Sequence, residues 1–233
     1  MEHNLNWLNE EEGTITCSER NGTVFTAQFY VTGEEEAEFR LQDVVLPEKQ
    51  AKNNNMREEI IAEMTNFASE CFRLLWEEGF EEVLLVEQKG TEVAKILNST
   101  NVVQKIYSEL MMKRHFEMQK STDCGVVTIN LTKEENGYFC ESKDGAFTCR
   151  LLSYETEQPE GACFYLYEVE VSKEKRNKGI ATSCLTELFR KLSEEMPVTI
   201  YLQVGSYNEP AVHLYEKLGF EISEELCYYA AEE

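Results

Sequence analysis

Positive charge is scarce in this sequence. Lys and Arg number 22 against 44 Asp and Glu in 233 residues, a formal net charge of -22. A chain so short of cations lacks the basic face that a nucleic acid requires, and it is not drawn to an anionic membrane surface. A cationic partner is attracted instead, although the same charge keeps a protein soluble whatever it binds. Long apolar runs are missing too; none approaches the ~20 residues of a membrane span. The polar, acidic N-terminus, residues 1–13, has no signal-peptide core. Histidine occurs three times, at His3, His115 and His213, and at no metal-ligand spacing. Eight cysteines form no C-x-x-C pair, and Cys71 and Cys184 fall in apolar helical patterns. They read as reduced core residues of a cytoplasmic protein, with no metal bound. With 12 Gly and 4 Pro there is no Gly/Pro/Ser-rich linker, so domains in this chain should pack closely.

What is present can build a core. The chain is 42% hydrophobic and 11% aromatic. Its length suits one large or two small domains at roughly 100–200 residues each.

The order of local patterns runs twice. Cys17 to Gly22 followed by Phe25-Thr26 parallels Cys140 to Gly145 followed by Phe147-Thr148, each a strand, a turn and a strand. Asn21-Gly22 and Asp144-Gly145 supply the hairpin turns. An alternating strand from Phe39 and another from Phe164 then run into charged loops. A helix follows each: Ile60, Ile61, Met64, Phe67, Cys71, Phe72 and Leu75 share one face, as do Ile180, Cys184, Leu185, Leu188, Phe189 and Leu192. Strands at 83–86 and 198–204, short helices near 91–98 and 209–218, and final strands near 107–118 and 222–230 complete the two copies. This order predicts an α+β protein with a mixed sheet and helices on its faces. The polar stretch Gln119–Asp123 marks the expected boundary, giving domains 1–120 and 121–233.

The loop after the second long strand reverses the local charge. Lys173, Lys175, Arg176 and Lys178 cluster before Gly179-Ile180-Ala181, where a helix begins. Free N–H groups and the dipole of a helix N-terminus favour an anion there. Gly179 and the small Ala181 let a phosphate approach the backbone. A bare pattern of this kind also serves as an exposed basic turn, and it is weak when isolated. Here it lies between a strand and an amphipathic helix. On the strand, Glu168 and Glu170 alternate with apolar residues, which predicts a common face opposite Tyr165 and Tyr167. Either glutamate is a candidate base.

Arg176-Asn177-Lys178-Gly179-Ile180-Ala181, followed by Asn208 and by Leu214-Tyr215-Glu216-Lys217-Leu218-Gly219-Phe220, resembles the GNAT family of acetyl-CoA-dependent N-acetyltransferases. The resemblance covers 162–220 through these motifs and 124–230 more loosely. It implies two tandem GNAT-like folds, each a mostly antiparallel sheet with flanking helices. It implies that backbone groups of Val169, Glu170 and Val171 pair with the pantetheine amides of coenzyme A. Backbone N–H groups of Arg176, Asn177, Lys178, Gly179, Ile180, Ala181 and Thr182 would bind the pyrophosphate. Asn208 would hydrogen-bond the coenzyme, and Ala211 and Leu214 would line its thiol end. Tyr215 would protonate the departing thiolate. Acetyl would pass directly to a cationic primary amine, on a small molecule or a peptide, in a ternary complex. A module that binds acetyl-CoA without chemistry is the alternative. The resemblance leaves open whether the chain acts as a monomer or a homodimer.

The first copy lacks this apparatus. Ala51, Asn54 and Met56 stand at the loop positions, Leu97 at the tyrosine position and Asn101-Val102 at the Gly-Phe position. Residues 1–120 are expected to bind no coenzyme. The second copy has no room between Asp123 and Tyr138 for the two helices that shape the family's acceptor pocket, so that side is expected to be built from something else, the first copy or another subunit.

Overall fold

A computed structural model describes residues 2–18, 23–42, 56–118, 127–153 and 161–231. Among these the elements run in one order twice. Strands β1 (Glu2–Trp7), β2 (Glu12–Ser18), β3 (Val24–Val31) and β4 (Glu36–Leu41) precede helix α1 (Met56–Glu77), β5 (Glu82–Gln88), α2 (Glu92–Ser99) and β6 (Gln104–Phe116). Then come β7 (Ile129–Glu134), β8 (Gly137–Ser142), β9 (Phe147–Ser153), β10 (Ala162–Val171), α3 (Ile180–Leu192), β11 (Val198–Gly205), α4 (Glu209–Lys217) and β12 (Glu221–Ala230). These agree with the periodicities in the sequence, from the Cys184/Leu188 and Leu185/Phe189 stripes of α3 to the strict alternation of β11. The hairpin turn expected at Asn21-Gly22 lies outside the described residues.

Each run contains antiparallel neighbours and one parallel pair. β4 meets β5 over Glu36↔Glu82 to Phe39↔Leu85, and β10 meets β11 over Ala162↔Val198 to Tyr165↔Tyr201. The sheet is mixed, as expected of an α/β fold of this kind.

The contacts divide the chain into two compact units: Met1–Ser108 with Leu226–Glu233, and Glu109–Glu225. The polar stretch at Gln119–Asp123 had suggested a division near 120. The strands explain the difference. Residues 109–116 of β6 pair antiparallel with β11, from Val198↔Phe116 to Gly205↔Glu109, inside the second unit. The end of β12 pairs with β5, from Leu226↔Gln88 to Tyr229↔Leu85, inside the first. Apolar side chains follow the pairing. Leu110, Met112 and Phe116 belong to the core of the second unit, and Cys227 and Tyr229 to that of the first.

In the second unit one core lies under both helices. Cys184, Leu185, Leu188 and Phe189 of α3 and Tyr215 of α4 pack with Phe164, Leu166, Ile200 and Leu202. Each large buried side chain contributes about 1.5–3 kcal/mol. The alternate residues of the same strands, Tyr165, Tyr167, Tyr201 and Gln203, are half-buried on the opposite face. Among the described residues of this unit, no helix packs there.

Candidate active site

The site begins where β10 loses its alternation. Tyr167 pairs with Arg150, and the next pair is Glu170 with Thr148. One extra residue on β10 makes a β-bulge, and Glu168 there takes a left-handed backbone, φ 49. A bulge re-phases every side chain beyond it. Glu170 therefore shares the face of Tyr165 and Tyr167. Glu168 also reaches that face, 2.9 Å from Nε of Arg150. The two glutamates do not stand opposite the tyrosines, as unbroken alternation predicted. Arg150 is held in turn by Glu134, at 2.6 Å, and lies over the Phe139 ring at 5.0 Å.

β10 and β11 also part company. Their ladder ends at Tyr165↔Tyr201, yet β10 runs on to Val171 and β11 to Gly205. The edge of β10 at Val169 and Glu170 thus faces away from β9 with no β11 partner. Val169 and Val171 pack partly buried against the core, which holds this edge in place. The Val171 carbonyl accepts from Nε of Arg176 at 3.0 Å.

The loop that follows is a row of free donors. One 3-10 turn, Lys173–Lys175, leads to Gly179, which caps α3 with φ 74 and ψ 7 and no side-chain hydrogen bond. Asn177 is left-handed as well, φ 59. Arg176 N–H donates to Lys173 O at 3.4 Å, and Ser183 N–H to Gly179 O at 3.0 Å. Among the described residues nothing accepts from the N–H groups between them, from Asn177 through Ile180 and Ala181 to Thr182. Unpaired amides at a helix N-terminus in a left-handed turn form an anion cradle. A Cβ built on Gly179 would meet nothing within 4 Å, so the space beside these donors is open. The cations brace the loop. Lys178 Nζ donates to Glu174 O at 2.8 Å, and Lys175 Nζ lies 3.7 Å from Asp144.

Helix α4 supplies the other wall. Asn208 caps it, its Oδ1 accepting from Ala211 N–H at 3.4 Å, which leaves the side-chain amide as a donor. Pro210 sits in the first turn, where no N–H is needed. Ala211 and Leu214 are partly buried on the core. Tyr215 is 7% exposed, edge-on to Phe220 at 5.8 Å. Burial pushes its pKa up to about 12, with smaller contributions from Cys149 and Tyr165. The phenol keeps its proton throughout the neutral range. Tyr165 is itself pushed up by burial and then by the charge of Glu109.

Seven described cysteines are free thiols. Burial pushes Cys184 up to about 11, so it is a neutral core thiol and no nucleophile. Among the described residues no cluster of His, Cys, Asp and Glu could hold a metal, and no helix is long and apolar enough to cross a membrane.

Sequence patterns had brought Tyr215, Asn208 and the 176–182 loop to one region. They had passed over Glu109, Arg150 and Glu134. Glu109 lies in the last strand of the first run, and only the β6–β11 pairing shows that it belongs to this unit.

A mixed sheet with a parted parallel pair leads into a helix N-terminus with no side-chain cap and with open space beside it. The model of the Acetyltransferase (GNAT) family matches residues 101–220, just over half of the chain, and the protein belongs to that family. Acetyl-CoA-dependent acetyl transfer is the activity of the class. A mycothiol acetyltransferase from Corynebacterium aurimucosum is 35% identical over 65 residues, which span 28% of this chain and 21% of that protein. The match thus covers about a fifth of that relative's length. Among solved structures, a GNAT protein from Sphaerobacter thermophilus superposes with a TM-score of 0.60 at 13% identity, over 96% of this chain and 81% of that one. A tandem GNAT protein from the clavulanic acid biosynthesis pathway gives 0.51 at 11% identity, over 94% and 82%. One from Kribbella flavida gives 0.54 at 10% identity, over 89% and 87%. At such identities the likeness is one of fold.

Proposed function

We propose that the second unit is an N-acetyltransferase that moves acetyl from acetyl-CoA to a cationic primary amine in a ternary complex. The row of unpaired N–H groups from Asn177 to Thr182 beside open space carries this reading. These donors, with Arg176 bracing the turn, would hold the pyrophosphate. The free edge at Val169, Glu170 and Val171 would pair with the pantetheine amides, and Asn208 would add a donor from α4. Ala211 and Leu214 would shape the wall at the thiol end.

The bound coenzyme supplies an activated acetyl thioester. The chain's own residues then manage protons. Tyr215 holds one at neutral pH and can give it to the leaving sulfur. Glu168 and Glu170 are carboxylates on the open face, although Glu168 is already paired with Arg150. The excess of acid over base, -22 overall, draws a cationic acceptor toward the site. Reduced cysteines such as Cys184 suit the reducing cytoplasm.

We further infer that the first run is a duplicated and silent copy. Its support is the repeated element order and the matching parallel ladders at Glu36–Phe39 and Ala162–Tyr165. A protein similar in fold is itself a tandem GNAT protein. Leu97, fully buried in the first core, offers no hydroxyl where Tyr215 stands in the second copy. The substituted loop, Ala51 to Asn55, lies outside the described residues.

The test is thiol release from acetyl-CoA with a panel of primary amines, alongside calorimetric binding. Turnover with at least one alkylamine is expected. Tight acetyl-CoA binding with no turnover over a broad panel would favour a regulatory module.

A further inference from the structure

On the open face of the second unit, strand register sets a carboxylate beside the gap between β10 and β11. Glu109 lies opposite Gly205, Met111 opposite Gln203, and Lys113 opposite Tyr201. Tyr201 in turn lies opposite Tyr165, the last pair before β10 and β11 part. Directly paired residues share a face, so Glu109, Met111, Lys113, Gln203, Tyr201 and Tyr165 all look the same way. Their alternates, Leu110, Met112 and Leu202, are buried beneath the helices. Gln203 Nε2 donates to Oε2 of Glu109, which draws the carboxylate over β11 toward the gap. Burial, and after it the charge of Glu109, pushes the Tyr165 phenol up.

We propose that Glu109 receives the acceptor's ammonium group and takes its proton, with Gln203 as the residue that positions it. The proposal rests on the reading of this unit as an N-acetyltransferase. Tyr165 and Tyr201 lie further along the same face, and aromatic rings there suit the chain of an alkylammonium group. The other carboxylates on this face are placed less well. Glu168 is committed to Arg150, which Glu134 also holds. Glu170 lies beyond the bulge, paired with Thr148.

The ammonium gives one proton to Glu109 and becomes a neutral amine. Its lone pair forms the C–N bond to the thioester carbonyl as the C–S bond breaks. The sulfur leaves with the bonding pair and takes the Tyr215 proton. The new amide nitrogen sheds its second proton, which restores Tyr215, and Glu109 releases its proton to water. A thioester and an ammonium give an amide, a thiol and one proton.

The experiment compares the full chain with Glu109→Gln and Glu109→Asp. Thiol release is followed with 1,5-diaminopentane, phenethylamine and a lysine peptide, and the same amines are titrated calorimetrically into the CoA-saturated protein. Glu109→Gln should lose about 100-fold in kcat/KM for amines and weaken amine binding about tenfold. Acetyl-CoA affinity should stay within about twofold. Glu109→Asp keeps the charge and should recover about tenfold of the loss, which a packing role would not produce. A Glu109→Gln protein that is folded and within threefold of wild type in amine turnover and binding overturns the proposal. Should Glu109→Gln fail to fold, Gln203→Ala removes only the brace; it should cost about tenfold in kcat/KM, and an unchanged value overturns the assignment. A wild-type protein that binds acetyl-CoA yet neither binds nor acetylates any amine defeats the N-acetyltransferase reading itself, and this one with it.

Discussion

Tyr215 keeps its proton because the core around it disfavours a phenolate, and that fact has two measurable consequences. The first is kinetic. Tyr215→Phe keeps the ring against Phe220 and removes only the hydroxyl, so turnover should fall about 10²-fold while acetyl-CoA affinity is unchanged. A rate within twofold of wild type, with chemistry limiting, would remove the hydroxyl from the mechanism. The second is a dependence of stability on pH. An unfolded tyrosine ionises near pH 10, whereas Tyr215 in the folded chain does so at about 12. Below pH 10 both states hold the proton and its contribution is fully present. As pH rises through 10 toward 12 the unfolded state ionises first, and up to about 2–3 kcal/mol is lost. Denaturant titrations at pH 9, 10 and 11 should show that loss in wild type and a smaller one in Tyr215→Phe.

Gly179 poses the reverse case, a side chain that must be absent. At φ 74 an L-residue is strained, yet a Cβ there would touch no protein atom. Gly179→Val should therefore cost about 1–2 kcal/mol of stability. Its larger effect should be on the coenzyme, because the new side chain fills the space beside the unpaired amides. Calorimetry should show acetyl-CoA affinity reduced at least about 100-fold, and an unchanged affinity would refute the loop as the pyrophosphate site.

At the scale of the element, much of this molecule was legible in advance. Periods of 3.6 and 2 located α3, α4, β10 and β11 because each buries one face against a single core. The loop at Arg176–Ala181 stood out because its charge and its glycine oppose the surrounding sequence. The bulge at Glu168 gave no such sign. An extra residue in a strand is invisible until its partner's register is known, and without Arg150 and Thr148 the pattern Tyr167-Glu168-Val169-Glu170 looks regular. The position of Glu109 was hidden for a similar reason, since local pattern says which residues of β6 face a core but not which sheet they join. Asn208 gives the element-scale test. Its side chain caps α4, the helix that carries Tyr215, and Asn208→Ala should cost about 1 kcal/mol. If Asn208 also serves the coenzyme, Asn208→Ala should weaken acetyl-CoA binding, whereas Asn208→Ser, which retains a cap, should restore stability without restoring affinity.

For the whole molecule, the division of the chain decides what can fold alone. A division at 120 would make residues 121–233 a complete domain. The contacts instead give the second unit eight residues from β6, paired along the length of β11 from Val198↔Phe116 to Gly205↔Glu109. Leu110, Met112 and Phe116 are all buried in its core. At about 1.5–3 kcal/mol each, their removal forfeits an amount comparable with the ~5–15 kcal/mol that holds a whole domain together. Removal also leaves β11 with an unpaired edge of alternating apolar residues, which invites association. Residues 121–233 expressed alone should therefore show no cooperative unfolding transition and no acetyl-CoA binding, and should aggregate. A chain of residues 104–233 keeps β6 and should regain part of the transition. Full stability and activity in 121–233 would show that β6 is dispensable, and with it the assignment of Glu109 to this site.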